Sequence, residues 1–180
     1  MLVAAPEPPL ADDVVALRLF TLDDVDAVVT ACTDPEVPRW TTVPEPYTRE
    51  HAQAWLDEVS RREREDAATL AVTERTSGSV AGAISVWIVR PAVAEFGYWA
   101  TPALRGRGYM TRALRLLARW TLAELAPARL QLGTIPGNVA SERVAAKAGF
   151  QREGTLRSWI EQRGERRDVV MWSLLPGELD

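Results

Sequence analysis

The spacing of apolar residues changes character along the chain, and each change marks an element. In "VVALRLF" (Val14 to Phe20) apolar and polar residues alternate well enough for a strand. Thr21, with Asp24 three residues later, makes a cap-like start for a helix running to about Ala31. "TDPEVPRWTTVPEPY" then carries four prolines and breaks regular structure. Thr48 can cap a second helix, with Ala52, Trp55 and Val59 on one face, ending at the charged "RREREDA". From there the period shortens to two. "ATLAVTE", the turn "RTSGS", "VAGAISVWIV", the break "RPA" and "VAEFGYWAT" predict three strands joined as an antiparallel meander. Met110 to about Leu125 is the clearest helix, with Ala113, Leu116, Leu117 and Trp120 at i, i+3, i+4 and i+7. "RLQLGTI" reads as a strand and "NVASERVAAKAGF" as a short capped helix ending at Gly149. "FQREGTLRSWIEQRGERRDVVMWSLL" reads as a final hairpin turning near Arg163-Gly164.

This order mixes meander and crossover connections. It predicts an α/β (α+β) mixed sheet with helices on both faces, and argues against a doubly wound parallel sheet. With 180 residues, 47% of them hydrophobic, and no internal repeat, the chain fits one domain over residues 14–175. Residues 1–13 are expected to form a flexible N-terminal tail and residues 176–180 a short C-terminal tail. No run of about 18 apolar residues is present. The opening "MLVAAPEPPLADD" is short, acidic and broken by proline, unlike a leader. The expectation is a soluble cytoplasmic protein with no membrane partner.

Composition narrows the chemistry. Cys32 is the only cysteine, so no internal disulfide can form, and no Cys/His cluster is present to hold a metal. Cys32 reads as a small buried hydrophobe and the single His51 as a solvated or hydrogen-bonded residue of a surface helix, not a catalytic one. The net charge of −4 argues against a nucleic-acid partner. That charge is unevenly distributed: through Asp66 there are 15 acidic and 6 basic residues, and from Ala67 onward 10 acidic and 15 basic. The asymmetry points to one region that meets a cation and another that meets an anion.

The anion side centres on "LRGRGYMTRAL". Gly106 and Gly108 permit a tight turn, and the helix that follows offers unpaired N–H groups and the positive end of its dipole. From Ala103 to Arg119 there are five arginines and no acidic residue. The turn matches neither the dinucleotide nor the P-loop pattern. Taken alone it is equally a binding turn or a plain connection.

Arg105-Gly106-Arg107-Gly108-Tyr109-Met110 resembles the Gln/Arg-x-x-Gly-x-Gly/Ala signature of the GNAT (Gcn5-related) N-acetyltransferases. The wider pattern resembles their RimJ/RimL-type branch, through "EFGYWATP" before the turn, "NVASERVAAKAGF" after the next strand and "EGTLRSW" leading into the last hairpin. The resemblance runs from about Val14 to Leu175. It departs from the general pattern at Met110, where that pattern has Gly or Ala. It implies a GNAT-like fold: a mostly antiparallel, twisted sheet of about six to seven strands, splayed at its centre and flanked by about four helices.

The resemblance further implies acetyl-CoA as co-substrate, without a metal. Its pyrophosphate would lie on backbone N–H groups from Arg105 through Thr111, taking in Arg105, Gly106, Arg107, Gly108, Tyr109, Met110 and Thr111. Its pantetheine arm would run along the strand carrying Tyr98, Trp99 and Ala100. Asn138 and Ser141 match the family's N-x-x-S, where the Asn contacts the cofactor and the Ser approaches its sulfur; Arg143 adds a candidate phosphate contact. Structural readings stand beside these: Asn138 as a helix cap, Ser141 as a small packed residue, Arg105 and Arg107 as solvated charges.

Acetyl transfer by direct attack in a ternary complex needs a base for the amine and an acid for the leaving thiolate. Glu95 is the candidate base, with a solvent-facing strand residue as its bland reading, and Glu161 on the last hairpin is a second. A backbone N–H of Trp99 or Ala100 can polarise the thioester. Ser141 is the candidate acid and Tyr98 the alternative. Trp40, Glu95 and Glu161 are the candidate acceptor contacts. The acceptor is expected to be a protein or peptide N-terminal amine of the ribosomal-protein type. A small-molecule amine, such as an antibiotic or polyamine, is the alternative, and a CoA-binding sensor without catalysis is the reading from another class. Trp159 and Trp172 are candidate contacts for a homodimer.

Overall fold

The computed structural model describes residues 3–62 and 66–179. Residues 63–65 of the charged "RREREDA" run lie outside them. Among the described residues eight strands form one sheet: β1 (Leu10–Ala11), β2 (Val15–Leu19), β3 (Ala67–Glu74), β4 (Val80–Arg90), β5 (Val93–Ala100), β6 (Arg129–Thr134), β7 (Gln151–Gln162) and β8 (Glu165–Leu174). Five helices flank it: α1 (Val25–Cys32), α2 (Glu36–Trp40), α3 (Arg49–Arg62), α4 (Tyr109–Glu124) and α5 (Val139–Lys147). The strand order is β1-β2-β3-β4-β5-β6-β8-β7. Every neighbouring pair is antiparallel except β5 with β6. The meander, crossover and hairpin lie where the apolar pattern put them, in a mixed sheet of the kind the resemblance implies.

Two elements are additional to those the apolar pattern predicts. The residues expected to be a loose N-terminal tail carry β1, which pairs Leu10 with Leu17, and Val3 is fully buried in the main core. The Pro-rich segment holds α2. Pro38 is its third residue, inside the first turn, where a missing N–H breaks no helical bond. Asp34 Oδ1 accepts the Glu36 N–H, and Trp40 Nε1 donates to Glu36 Oε2 at 3.0 Å. Proline there starts a short helix and does not prevent one.

The sheet separates two apolar cores. One lies under α4 and α5, and α4 contributes Ala113, Leu114, Leu117 and Ala118, all fully buried. Leu116 and Trp120, expected at the centre of that stripe, sit at its margin. The other lies among α1, α2 and α3 and takes in Val28, Cys32, Val37, Ala52 and Leu56, with Trp55 and Trp99 packed against it. Alternation along β5 therefore sends Phe96 and Tyr98 to the first side and Glu95, Gly97 and Trp99 to the second.

Candidate active site

The two central strands part company halfway along. β5 and β6 pair from Val93↔Arg129 to Phe96↔Leu132 and no farther, although β5 continues to Ala100 and β6 to Thr134. Each arm is held by its outer neighbour, β5 by β4 through Ala100↔Gly82 and β6 by β8 through Thr134↔Val170. A wedge results, in which the β6-facing edge of β5 beyond Phe96 has no strand opposite it. Such an edge can accept an extended chain. Tyr98 bridges the wedge to α5. Its Oη donates to Ser141 O at 3.1 Å and lies 2.9 Å from Ser141 Oγ. Burial pushes the Tyr98 phenol up to about 12, against the opposing effect of the Ser141 hydroxyl.

The glycine turn stands at the open end of β5. Gly106 (φ +77°) and Gly108 (φ +81°) occupy the left-handed region, and a Cβ on either would meet nothing within 4 Å. These glycines therefore serve backbone conformation, and the surface above them is open. The first helical bond of α4 is donated by the Arg112 N–H to Gly108 O, so the N–H groups of Tyr109, Met110 and Thr111 precede the helical ladder. The Arg105 N–H is already taken by Pro102 O, which removes it from the expected set of cradle donors. The Arg105 side chain also ties the scaffold, with Nε on Ala100 O at 3.2 Å and Nη2 on Asp34 at 2.8 Å. Arg107 is exposed, and its charge helps hold the Glu74 carboxyl below its ordinary range, behind the hydrogen bonds from Ser77 and Tyr109. The side chains of Tyr109 and Met110 are buried, so only their backbone can face a ligand.

Across the wedge, Asn138 caps α5 by accepting the Ser141 N–H at 3.1 Å. The cap fixes the turn that carries Ser141 beside Tyr98. Arg143 is exposed and has no described partner.

Glu95 lies on the opposite face, one pair before β5 and β6 separate. Its Oε2 accepts from Gln131 Nε2 at 2.6 Å. Trp87 on β4 pairs with Glu95, and its ring lies 2.8 Å from where a Cβ on Gly97 would stand, so the aromatic lies across Gly97. Trp87, Trp99 and Trp55 thus line the sheet face beside Glu95, the last two with ring centroids 6.2 Å apart. Neither Trp87 nor Gln131 stands out in the sequence. The hairpin register that puts Trp87 beside Glu95, and the parallel pairing that puts Gln131 there, are the signals that identify them.

The remaining acceptor candidates lie on other elements, Glu161 on β7 and Trp40 on α2. Glu161 is exposed and lines a cleft of about 440 Å³ with Thr42, Val43, Glu45 and Arg163. Trp40 is half-buried, with the Arg39 guanidinium 4.7 Å from its ring centroid. Buried Gln162, which nothing in the sequence pattern marks, clamps the hairpin tip to this region, with Nε2 donating to Thr41 O at 2.7 Å and lying 3.3 Å from Pro38 O and 3.2 Å from Arg39 O. Part of the acidic surplus expected to meet a cation is engaged with arginines from later in the chain. Asp34 pairs with Arg105, Asp12 and Asp13 with Arg112, and Glu45 with Arg163. Trp172 does not reach a dimer surface: it is buried and donates to Thr134 Oγ1 at 3.1 Å, whereas Trp159 is 51% exposed. Among the described residues no helix is long and apolar enough to cross a membrane.

Comparison with known proteins bears on the family and the fold. Residues 15–151 match the family model described as "Acetyltransferase (GNAT) domain". The Bacillus subtilis protein named "Probable N-acetyltransferase YjcK" is 31% identical over 133 residues, covering 72% of this chain and 74% of YjcK. The structure of RimL, titled a ribosomal L7/L12 alpha-N-protein acetyltransferase in complex with coenzyme A, superposes with a TM-score of 0.82 at 20% identity, covering 93% of this chain and 97% of RimL. The microcin C7 self-immunity acetyltransferase MccE, in complex with acetyl-CoA and AMP, gives 0.82 at 20% identity, covering 91% and 93%. The chain belongs to the GNAT family of N-acetyltransferases.

Proposed function

We propose that this N-acetyltransferase takes its acetyl group from acetyl-CoA and passes it to the N-terminal amine of a protein or peptide. The observation that carries the reading is the wedge: β5 loses its parallel partner beside the turn whose glycines leave an open surface and whose helix begins with unpaired N–H groups. These features fit an extended arm ending in a pyrophosphate. Gly106 to Thr111 would hold the pyrophosphate through backbone N–H groups, Tyr98 to Ala100 would border the arm, and Asn138, Ser141 and Arg143 would border it from α5. When bound, acetyl-CoA supplies an activated acyl thioester.

This chain's own groups then divide the proton work. Glu95 receives the proton of the incoming amine, directly or through water. A backbone N–H of Trp99 or Ala100 polarises the acyl carbonyl. The Tyr98 and Ser141 hydroxyls hold the proton that the departing sulfur requires. The raised Tyr98 pKa keeps the phenol protonated at neutral pH, so it acts as donor and not as base. An α-amine, with a reference pKa near 8, asks less of Glu95 than a lysine near 10.4.

The likeness to RimL supports the N-terminal acceptor, and the likeness to MccE keeps a small-molecule amine as the second reading. A thiol-release assay over N-terminal peptides, lysine peptides, polyamines and aminoglycosides separates them. The highest kcat/KM is expected for N-terminal peptides, and preference for a small amine would overturn that choice. Glu95→Gln is expected to lower kcat about 100-fold with acetyl-CoA affinity unchanged. Normal turnover in that variant would remove Glu95 from the mechanism.

A further inference from the structure

We propose that Gln131 is the positioning residue for Glu95, and that Arg129 sets the direction in which its amide faces. The inference rests on the reading of Glu95 as the base. Gln131 and Glu95 are direct neighbours across the only parallel pairing among the described residues, one step before the wedge opens. Gln131 is 8% exposed, and both ends of its amide are engaged. Arg129 Nε donates to Gln131 Oε1 at 3.2 Å, while Gln131 Nε2 donates to Glu95 Oε2 at 2.6 Å. A guanidinium can only donate, so the amide oxygen must face Arg129 and the NH2 must face the carboxylate. Arg129 and Gln131 lie two residues apart on β6, so they share one face and the relay needs no backbone irregularity.

The charge of Arg129 is directed elsewhere. Nη1 bonds Glu153 Oε1 at 2.6 Å and Nη2 bonds Glu153 Oε2, while Ser173 Oγ donates to the same carboxylate at 2.7 Å. The hydrogen bond from Arg129, aided by that from Ser173, brings the Glu153 carboxyl down to about 2. Arg129 and Glu153 therefore form a closed ion pair, and the group that touches Glu95 is a neutral amide. On its other side Glu95 faces Trp87 of β4, which carries no charge. A cation in direct contact would make Glu95 a poorer base by stabilising its ionised form. The amide holds one carboxylate oxygen in place without bringing a charge to it, and leaves the other oxygen without a described partner.

The test is the pH profile of kcat for Gln131→Leu, Gln131→Glu, Glu95→Gln and the Glu95→Gln/Gln131→Leu double variant, with coenzyme A affinity measured by titration calorimetry. Gln131→Leu removes a hydrogen bond to the charged form of Glu95, so the acidic limb moves to higher pH and kcat falls about tenfold. Gln131→Glu keeps the length of the side chain and the Arg129 contact but turns a carboxylate toward Glu95. It moves the limb farther in the same direction, and it provides the readout should the leucine variant not fold. Coenzyme A affinity stays within twofold throughout, and Gln131→Leu adds no further loss once Glu95 is already Gln. If Glu95→Gln is slow but both Gln131 variants keep the wild-type limb, Gln131 does not position the base; a fall in kcat with an unmoved limb overturns the inference equally. If Glu95→Gln turns over normally, the reading of Glu95 fails first and this inference with it.

Discussion

Met110 of α4 stands where the general turn signature has a small residue, and the compensation for its bulk lies on strand β4. A Cβ on Gly82 of β4 would approach Met110 Cε to 2.9 Å and Trp99 O to 2.2 Å. The glycine on one element therefore makes room for the methionine on the other, and for the close passage of β5. Because the Met110 side chain is buried and only its backbone faces the open turn, truncating it should separate packing from ligand binding. Met110→Ala is expected to lose about 2–3 kcal/mol of stability in urea unfolding, with coenzyme A affinity changed less than about threefold. A large loss of affinity at unchanged stability would place the side chain at the ligand. The sequence carried Gly106, Gly108 and Asn138 plainly, because a left-handed turn and a helix cap are local demands. It did not carry the Gly82 and Met110 contact, nor Gln131 beside Glu95, since both arise from pairing between distant segments.

At the scale of elements, the β7–β8 hairpin and the α2 segment define each other. The sequence shows the hairpin through its alternation and its Arg163-Gly164 turn. It hides α2, because proline reads as a breaker unless its place in a first turn is known. The docking is polar: Gln162 Nε2 reaches three carbonyls of residues 38–41, and Arg163 donates to Pro38 O at 2.6 Å and Val43 O at 3.0 Å. One buried amide thus satisfies the end of α2 from across the cleft that Glu45 and Glu161 border. Gln162→Ala removes that donor from the Arg39 and Thr41 carbonyls and leaves Pro38 O to Arg163 alone, at a cost of about 1–3 kcal/mol. On the proposal that Glu161 contacts the acceptor, and since no residue of the glycine turn lines this cleft, KM for the amine should rise several-fold while coenzyme A affinity is retained. Equal loss of both, measured by initial rates and calorimetry, would mean that the hairpin supports the whole site.

For the whole molecule, the uneven charge along the chain has a structural explanation that composition does not reveal. Carboxylates before residue 67 meet arginines after it, as Asp34 meets Arg105, Asp12 meets Arg112 and Glu45 meets Arg163. Part of the asymmetry is therefore used in joining the first third of the chain to the turn, to α4 and to the hairpin. Exposed pairs of this kind contribute at most about 1 kcal/mol each, so they orient segments more than they stabilise them. The sheet itself was legible from period and connection length. The splay was not, because nothing in the apolar pattern of β5 or β6 marks where their pairing ends, and only the family resemblance anticipated it. Hydrogen exchange tests that feature directly. Acetyl-CoA at about 100 times its Kd adds roughly 2.7 kcal/mol to global stability. Exchange that requires global unfolding slows throughout the chain, whereas amides that exchange by local opening respond only where ligand covers them. Amides of residues 97–100 and 106–111 should therefore gain protection within seconds of labelling. Those of the β1–β2 edge, on the far side of the sheet from the wedge, should change only on the slow timescale. Early protection spread evenly over the chain, or confined to the hairpin, would put the cofactor somewhere other than the wedge.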